Sequence, residues 1–328
     1  MALREPFSLA QQRELCEILQ RDFPLHPRPF EVLAKRFQVE EDYLIEILKE
    51  WQKEGKLRQI SAIFEPKAFR HNSSLFAFKV EERYLKRASD IINAHPGVSH
   101  NYLRNHSYNL WFTLVVPPER DLLKEVEFLY KESGAQDYLY LPILKVFKIS
   151  TVFKENGDLN AEDILPEMKE TISFDITERD KALVKALQEP LPLTSRPFEQ
   201  IAETLEIPEE EILLWLKEMK GRGALRRFGA LFKHQKLGFT QNIMIAWHIP
   251  EDRLEEIGHY LASKPFVTHC YRRQDYLHWP FNLYTMCHFK GEGYAIIGEL
   301  ANKLGLKNYL ALETLKEYKK VRLRLFYH

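Results

Sequence analysis

The sequence has no surplus of charge of either sign. Lys+Arg and Asp+Glu both number 47 in 328 residues, whereas a protein that lives on nucleic acid usually carries a basic excess. Cysteine is scarce and odd in number. Cys16, Cys270 and Cys287 form no CxxC pair, which argues against a disulfide framework or a structural zinc site and for a reducing cytoplasm. No apolar run approaches the length of a membrane span, and the N-terminus lacks a signal-peptide core. A cytoplasmic protein with no membrane partner is therefore expected. Ready-made catalytic signatures are missing as well: there is no HExxH, Walker loop, GxGxxG or Ser-His-Asp pattern, which leaves cofactor-free acid–base chemistry open. At 45% hydrophobic and 29% charged residues, the chain is an ordinary globular protein long enough for two to four domains.

What is present is a repeat. Arg28-Pro29-Phe30-Glu31 returns as Arg196-Pro197-Phe198-Glu199, and Gly55-Lys56-Leu57-Arg58 as Gly223-Ala224-Leu225-Arg226. Val98-Ser99-His100-Asn101-Tyr102-Leu103-Arg104 returns as Val267-Thr268-His269-Cys270-Tyr271-Arg272-Arg273, and Asn109-Leu110-Trp111 as Asn282-Leu283-Tyr284. The offset grows from 168 to 173 residues because the second copy carries an insertion before Asn282. One unit has been duplicated and fused, and differences between the copies point to work that only one half does.

Each copy opens with a helical piece. Ser8 with Gln11, and Thr177 in the second copy, supply N-caps ahead of apolar stripes at helical spacing. Prolines break the chain at 24, 27 and 29 and again at 190, 192 and 197. Short helices follow (30–37, 198–205), then third helices (40–54, 208–220) closed by Gly55 and Gly223, then strands at 57–64 and 225–232. Three helices and a strand resemble a winged helix-turn-helix. The third helices are rich in glutamate, with Glu40, Glu41, Glu46, Glu50 and Glu54 in one copy and Glu209, Glu210, Glu211 and Glu218 in the other. Phosphates repel such a surface. No DNA partner is expected, and a packing or dimerisation role is.

The second piece of each copy reads as β-α-β-β-α-β, a ferredoxin-like unit. Strands are expected near 75–80, 98–104, 109–116 and 143–149, with helices near 84–94 and 119–133. In the second copy strands are expected near 242–248, 266–273, 282–289 and 319–326, with helices near 251–263 and 292–304. The fold class is α+β, a tandem repeat. The expected domains are 1–62 and 63–153 for the first copy, a polar linker at 154–174, then 175–229 and 230–328.

The most specific local pattern is His-x-Tyr-x-Arg: His100, Tyr102, Arg104 and His269, Tyr271, Arg273. Alternate strand residues share a face, so each triplet makes either a polar wall suited to an anion beside a titratable imidazole or the exposed polar residues of an ordinary sheet. The next strand differs between the copies, with His288 standing where the first has Val115. The inserted loop Tyr276-Leu277-His278-Trp279-Pro280-Phe281 suits a lid over a flat ligand, or equally a clasp on a neighbouring domain. Arg226 and Arg227 are a solvated edge unless an acidic ligand lies near, where they would clamp carboxylates. His106 sits in a hairpin, where a polar residue is expected anyway.

These strings resemble a known family. The helix-turn-helix followed by a ferredoxin-like domain is similar to the Lrp/AsnC regulators. The segment from Val98 to Thr113 looks like one subunit type of the siroheme decarboxylases. Leu225–Ala230, His269–Arg273 and Trp279–Tyr284, with Met286-Cys287-His288, look like the other type. The resemblance covers nearly the whole chain, in the order of a fused two-subunit enzyme. It implies removal of the C12 and C18 acetate carboxyl groups of siroheme to give didecarboxysiroheme, for heme d1 or alternative heme synthesis, with no cofactor beyond the iron tetrapyrrole substrate. It implies an acid/base pair at His269 and His288, with His100 as the first-half equivalent, or one of these ligating the substrate iron. Arg104, Arg226, Arg227, Arg272 and Arg273 would hold carboxylates. Tyr271, Trp279, Phe281 and Tyr284 would wall the ring, and His106 would also bind substrate. The halves would form an intramolecular pseudo-dimer, with further pairing of two chains left open. The rival readings are a ligand-sensing regulator, which would retain DNA, and a tetrapyrrole carrier, which would not need the histidines.

Overall fold

The computed structural model describes residues 7–149, 175–232 and 241–327. In chain order the first copy forms α1 (Leu9–Arg21), α2 (Pro29–Phe37), α3 (Glu41–Lys53), β1 (Leu57–Phe64), β2 (Asn72–Lys79), α4 (Leu85–Ala94), β3 (Val98–Arg104), β4 (Tyr108–Val116), α5 (Leu122–Ser133), β5 (Asp137–Leu141) and β6 (Ile143–Ile149). The second forms α6 (Glu178–Leu187), α7 (Pro197–Leu205), α8 (Glu209–Gly221), β7 (Leu225–Phe232), β8 (Gln241–Trp247), α9 (Leu254–Ala262), β9 (Val267–Arg273), β10 (Leu283–Phe289), α10 (Gly293–Leu304) and β11 (Tyr309–Lys320). Two compact units result, and they cut across the repeat by gathering like with like. The expected linker at 154–174 lies outside the described residues. Among the described residues, no helix is long and apolar enough to cross a membrane.

The first unit holds both helix-turn-helix pieces. Reciprocal capping boxes start α1 (Ser8 with Gln11) and α6 (Thr177 with Asp180), satisfying backbone N–H groups that a helix start leaves unpaired. Pro29 and Pro197 open α2 and α7. Gly55 and Gly223 end α3 and α8 at φ +73° and +74°, where a side chain would be strained. Arg28 pairs with Glu41 and Arg196 with Glu209, so part of the acidity of α3 and α8 is used inside each copy. β1 pairs antiparallel with β7, Ile60 opposite Ala230. Each wing strand has the other copy as its partner.

The second unit is a nine-stranded sheet in the order β5-β2-β4-β3-β11-β8-β10-β9-β6. Its outer strands β5 and β6 are consecutive in the chain, separated only by Pro142, so the sheet curls until its ends meet. One face packs under helices in two clusters. Phe76, Phe78, Val98, Leu110 and Phe112 lie against α4 and α5; Ile243, Trp247, Cys270, Leu283 and Cys287 lie against α9 and α10. The other face turns inward around Ala77, Trp111, Leu141, Met244, Trp279, Tyr284 and Leu312. Asn109 and Asn282 perform the same task in each half: the Asn109 amide bonds both backbone groups of Val80, and that of Asn282 both groups of Ile249.

Two expectations are corrected here. The last strand is Tyr309–Lys320 and not 319–326. The alternating Val321, Leu323 and Leu325 mimic a strand, but Leu325 is held in a turn by the Gln188 amide. The fourth strand of the first copy is split. β5 completes its own half by pairing with β2, while β6, the segment read as that fourth strand, pairs with β9 of the other half. β11 does both jobs without a break. Residues 309–313 pair with β8 and residues 314–320 with β3.

The crossing points are pinned by arginine. Arg104 donates to the Leu312 carbonyl at 2.7 Å, and Arg273 donates to the Leu141 carbonyl at 2.6 Å. Replacing Arg104 with Met leaves that buried carbonyl unpaired, at a cost of about 1–3 kcal/mol. The denaturant midpoint should fall accordingly, while Arg83→Met, on an exposed surface, should stay within about 0.5 kcal/mol of wild type. Equal midpoints for the two variants would remove the pinning role.

Candidate active site

The two His-Tyr-Arg stripes both face the inside of the curled sheet. Their alternates Leu103 and Cys270 pack outward under the helices, which fixes the other parity inward. Along β3 the His100 and Tyr102 rings lie 6.1 Å apart and Arg104 sits 5.5 Å from Tyr102. Along β9 the His269 and Tyr271 rings lie 5.9 Å apart, and Arg273 lies 5.1 Å from Tyr271 and 5.8 Å from Tyr284.

A β-bulge precedes each histidine. In β3 the register steps from Val98 to His100 across Ser99, and in β9 from Val267 to His269 across Thr268. A bulge re-aims side chains, and it lets each hydroxyl meet the imidazole beside it. Ser99 Oγ lies 2.9 Å from His100 Nδ1, and Thr268 Oγ1 lies 2.9 Å from His269 Nδ1. In the second half the chain of contacts continues. Thr268 Oγ1 is 3.1 Å from His288 Nε2 and 3.2 Å from the Met286 carbonyl, and His288 Nδ1 is 2.6 Å from Asn242 Oδ1. His269 and His288 are thus joined through one hydroxyl.

That hydroxyl has one proton and three groups in reach that can accept it, His269 Nδ1, His288 Nε2 and the Met286 carbonyl, so its orientation follows the protonation of the imidazoles. With His288 neutral, its Nδ1–H donates to Asn242 and Thr268 donates to Nε2. With His288 protonated, Nε2–H donates to Thr268, which turns its own proton to the Met286 carbonyl. Burial, helped by the positive charge of Lys320, pulls His288 down to about 4. The same two causes in the same order lower His100. Burial with the Glu317 charge pushes Tyr102 up to about 12. Lys320 lies opposite His100 in the β11–β3 pairing.

The other expected residues divide. Burial brings the Arg104 guanidinium down to about 10 and also lowers Arg273. Both are spent on the strand-crossing carbonyls, each with a buried Nε that has no acceptor. Arg272 points to the opposite face and pairs with Glu251 at 2.7 Å. Arg226 and Arg227 belong to the first unit, where Arg226 pairs with Glu65 and Arg227 meets the Gln20 carbonyl. Trp279 is only 3% exposed. Its indole donates to the Tyr284 hydroxyl at 2.6 Å, and it packs edge-on to His106 and Tyr108. Tyr276 reaches the Tyr140 carbonyl at 2.6 Å. The inserted loop therefore clasps the first half.

Thr268, Asn242 and Lys320 were missing from the sequence reading. The hydroxyl before each histidine repeats in both copies and was there to be read. Lys320 emerges only from the register of a strand that had been misplaced. Among the described residues, no three His, Cys, Asp or Glu side chains cluster as a metal set.

Comparison with known proteins matches both units. The model of an AsnC-like ligand binding domain covers residues 67–148 and 236–319, and that of a siroheme decarboxylase NirDL-like HTH domain covers 12–58 and 180–226. A siroheme decarboxylase of Hydrogenobacter thermophilus is 37% identical over 316 residues, 95% of this chain and 94% of that protein. The siroheme decarboxylase NirDL subunit of Paracoccus denitrificans is 32% identical over 86% of each chain. The crystal structure of a siroheme decarboxylase NirDL in co-complex with an iron-uroporphyrin III analogue superposes with a TM-score of 0.78 at 34% identity, covering 96% of this chain and 94% of that one.

The buried histidines set a pH dependence of stability. His95, His100 and His288 are all lowered, by burial first. The unfolded chain then takes up protons before the folded one, so stability falls as pH drops below about 6.5. For His288 the loss runs down to about 4. Denaturant unfolding at pH 7 and pH 5 should show the decline, and His288→Gln should flatten it. An unchanged slope in that variant would remove His288 from the account.

Proposed function

The chain belongs to the siroheme decarboxylase family, and on that premise we propose how its residues divide the work. The activity is that of a carboxy-lyase on siroheme, in heme formation. The proposal takes the acetate groups at C12 and C18 as the ones that lose their carboxyls, giving didecarboxysiroheme, as the family resemblance implies.

Each acetate carboxylate leaves as CO₂. The electron pair of the broken C–C bond stays on the former methylene carbon, and one proton turns that carbon into a methyl group. One proton is consumed per CO₂, so the site needs a donor that can be reloaded. The observation that carries the reading is the His269–Thr268–His288–Asn242 chain of contacts. His269 gives its Nε2 proton to the carbon while its Nδ1 takes the Thr268 hydroxyl proton and Thr268 takes the Nε2 proton of His288, so His269 ends neutral and His288 gives up the charge. A ring system lying along the stripes meets Tyr102 and Tyr271, while Trp279, Tyr284 and His106 shape the wall behind. His100 with Ser99 is the first-half counterpart, without a second imidazole. Removing water from the acetate favours loss of its charge as CO₂.

The reading calls for no resident cofactor, since the iron tetrapyrrole is the substrate. It treats the two halves as an intramolecular pseudo-dimer with one productive centre, places the chain in the cytoplasm, and gives the acidic α3 and α8 no DNA.

Anaerobic incubation of the purified chain with siroheme, followed by mass analysis, should show loss of two CO₂. Siroheme returned intact would overturn the reaction. Thr268→Val keeps shape and removes the hydroxyl, so kcat should drop about 10²-fold with KM little changed, and Thr268→Ser should recover most of it. A Val variant turning over at the wild-type rate would dispose of the relay.

A further inference from the structure

Lys320 has no counterpart in the other half. β11 and β6 run through equivalent registers: Lys320 lies opposite His100, and Ile149 lies opposite His269. The neighbouring lysine is duplicated and has a shared task. Lys319 donates to the carbonyls of Asn93 and His95, and Lys148 donates to that of Lys264, each closing the helix-to-strand turn of the opposite half. Lys319 therefore faces the helices, and Lys320, one residue on, faces inward with His100, as directly opposed residues on paired strands do.

The groups around it are His100 directly opposite on β3, His288 from β10 and Glu317 from its own strand, with Tyr102 opposite Glu317. Its charge acts on an imidazole from each half. Glu317 is 3.9 Å away, with both side chains about half exposed, and such a contact is worth little in water. Lys320 thus keeps its capacity for an anion delivered to the two histidines.

We propose that Lys320 is a positioning and specificity residue for the decarboxylation: it takes a substrate carboxylate and sets it beside His100 and His288. This rests on the siroheme reading above. The arriving carboxylate neutralises the lysine's field, so the imidazoles become easier to protonate once substrate is in place. An empty site holds them neutral, and an occupied one lets them carry a proton. Ile149 at the matching register offers His269 no such anchor, so the ring is seated in one orientation.

The test uses the whole chain with Lys320→Met, Lys320→Gln and Lys320→Arg. In substrate-free protein, NMR titration should show His100 and His288 gaining protons at higher pH in the Met and Gln variants, with the Arg variant close to wild type. In steady state the Met and Gln variants should raise KM for siroheme on the order of tenfold, the scale of one charge-assisted contact. The acidic limb of kcat/KM should move to higher pH, and Arg should restore both. Imidazole titrations that do not move, or a KM unchanged in the uncharged variants, would overturn the proposal. If wild-type protein does not decarboxylate siroheme, the family reaction fails instead. The titrations, with the affinity for siroheme read by absorbance, still decide the role of Lys320.

Discussion

The exchange of last strands between the two ferredoxin-like halves is the constraint on which the site depends. A βαββαβ unit leaves one sheet face uncovered, because its two helices pack on the other. Here each half sends its final segment into the other, β6 to β9 and β11 to β3, and the sheet curls until both uncovered faces look inward. Buried arginines hold the two crossings. Arg104 and Arg273 each give a guanidinium hydrogen bond to a strand carbonyl from the other half. A buried guanidinium is expensive unless it is hydrogen-bonded, so these bonds specify one register. A one-residue slip would flip the histidine stripes to the helix side.

Within that frame the copies have diverged where chemistry needs asymmetry and stayed alike where the fold needs symmetry. Asn109 and Asn282, Arg104 and Arg273, and Lys319 and Lys148 do the same mechanical work in both halves. The bulge hydroxyls Ser99 and Thr268 are also shared. What differs is Val115 against His288 and Ile149 against Lys320. Each change puts a titratable or charged group on the inward face of one half only. Duplication supplied a symmetric shell, and two substitutions broke the symmetry inside it.

Much of this was legible in the sequence, and the part that was not has a physical reason. Capping boxes, helix-opening prolines and glycines at helix ends act locally, so α2, α3, α7 and α8 could be placed within a residue or two and the starts of α1 and α6 at their caps. The His-x-Tyr-x-Arg strands announced their inward face through period-two alternation. Strand partners are a different matter, because hydrogen bonding between strands is decided by register with a distant segment. The pairing of β6 with β9 left no local mark, and the Lys- and Glu-rich end of β11 read less like a strand than the apolar residues after it. The arginines were ambiguous for a related reason. Arg is as suited to a buried carbonyl as to a ligand carboxylate, and burial alone separates the two uses. Arg273 is a crossing pin and Arg272 a surface partner of Glu251, though both sit in one motif.

The depressed His288 raises the question of how an imidazole pulled down to about 4 by burial and by Lys320 can serve a reaction that consumes protons. The answer lies in what lowers it. Burial is a fixed cost, but the Lys320 contribution is conditional, because an anion beside the lysine cancels it. A polycarboxylate substrate brings that anion with it. The hydroxyl of Thr268 supplies the other half, since turning from Nε2 to the Met286 carbonyl gives the added proton an acceptor without moving a strand. Binding energy from a carboxylate that does not react is thereby converted into protonation of a group near one that does. His100 lacks the second imidazole, and Lys320 reaches it only because β11 crosses from the second copy to β3 of the first. The fused sheet that brings His288 and Lys320 to one inward face makes the set complete.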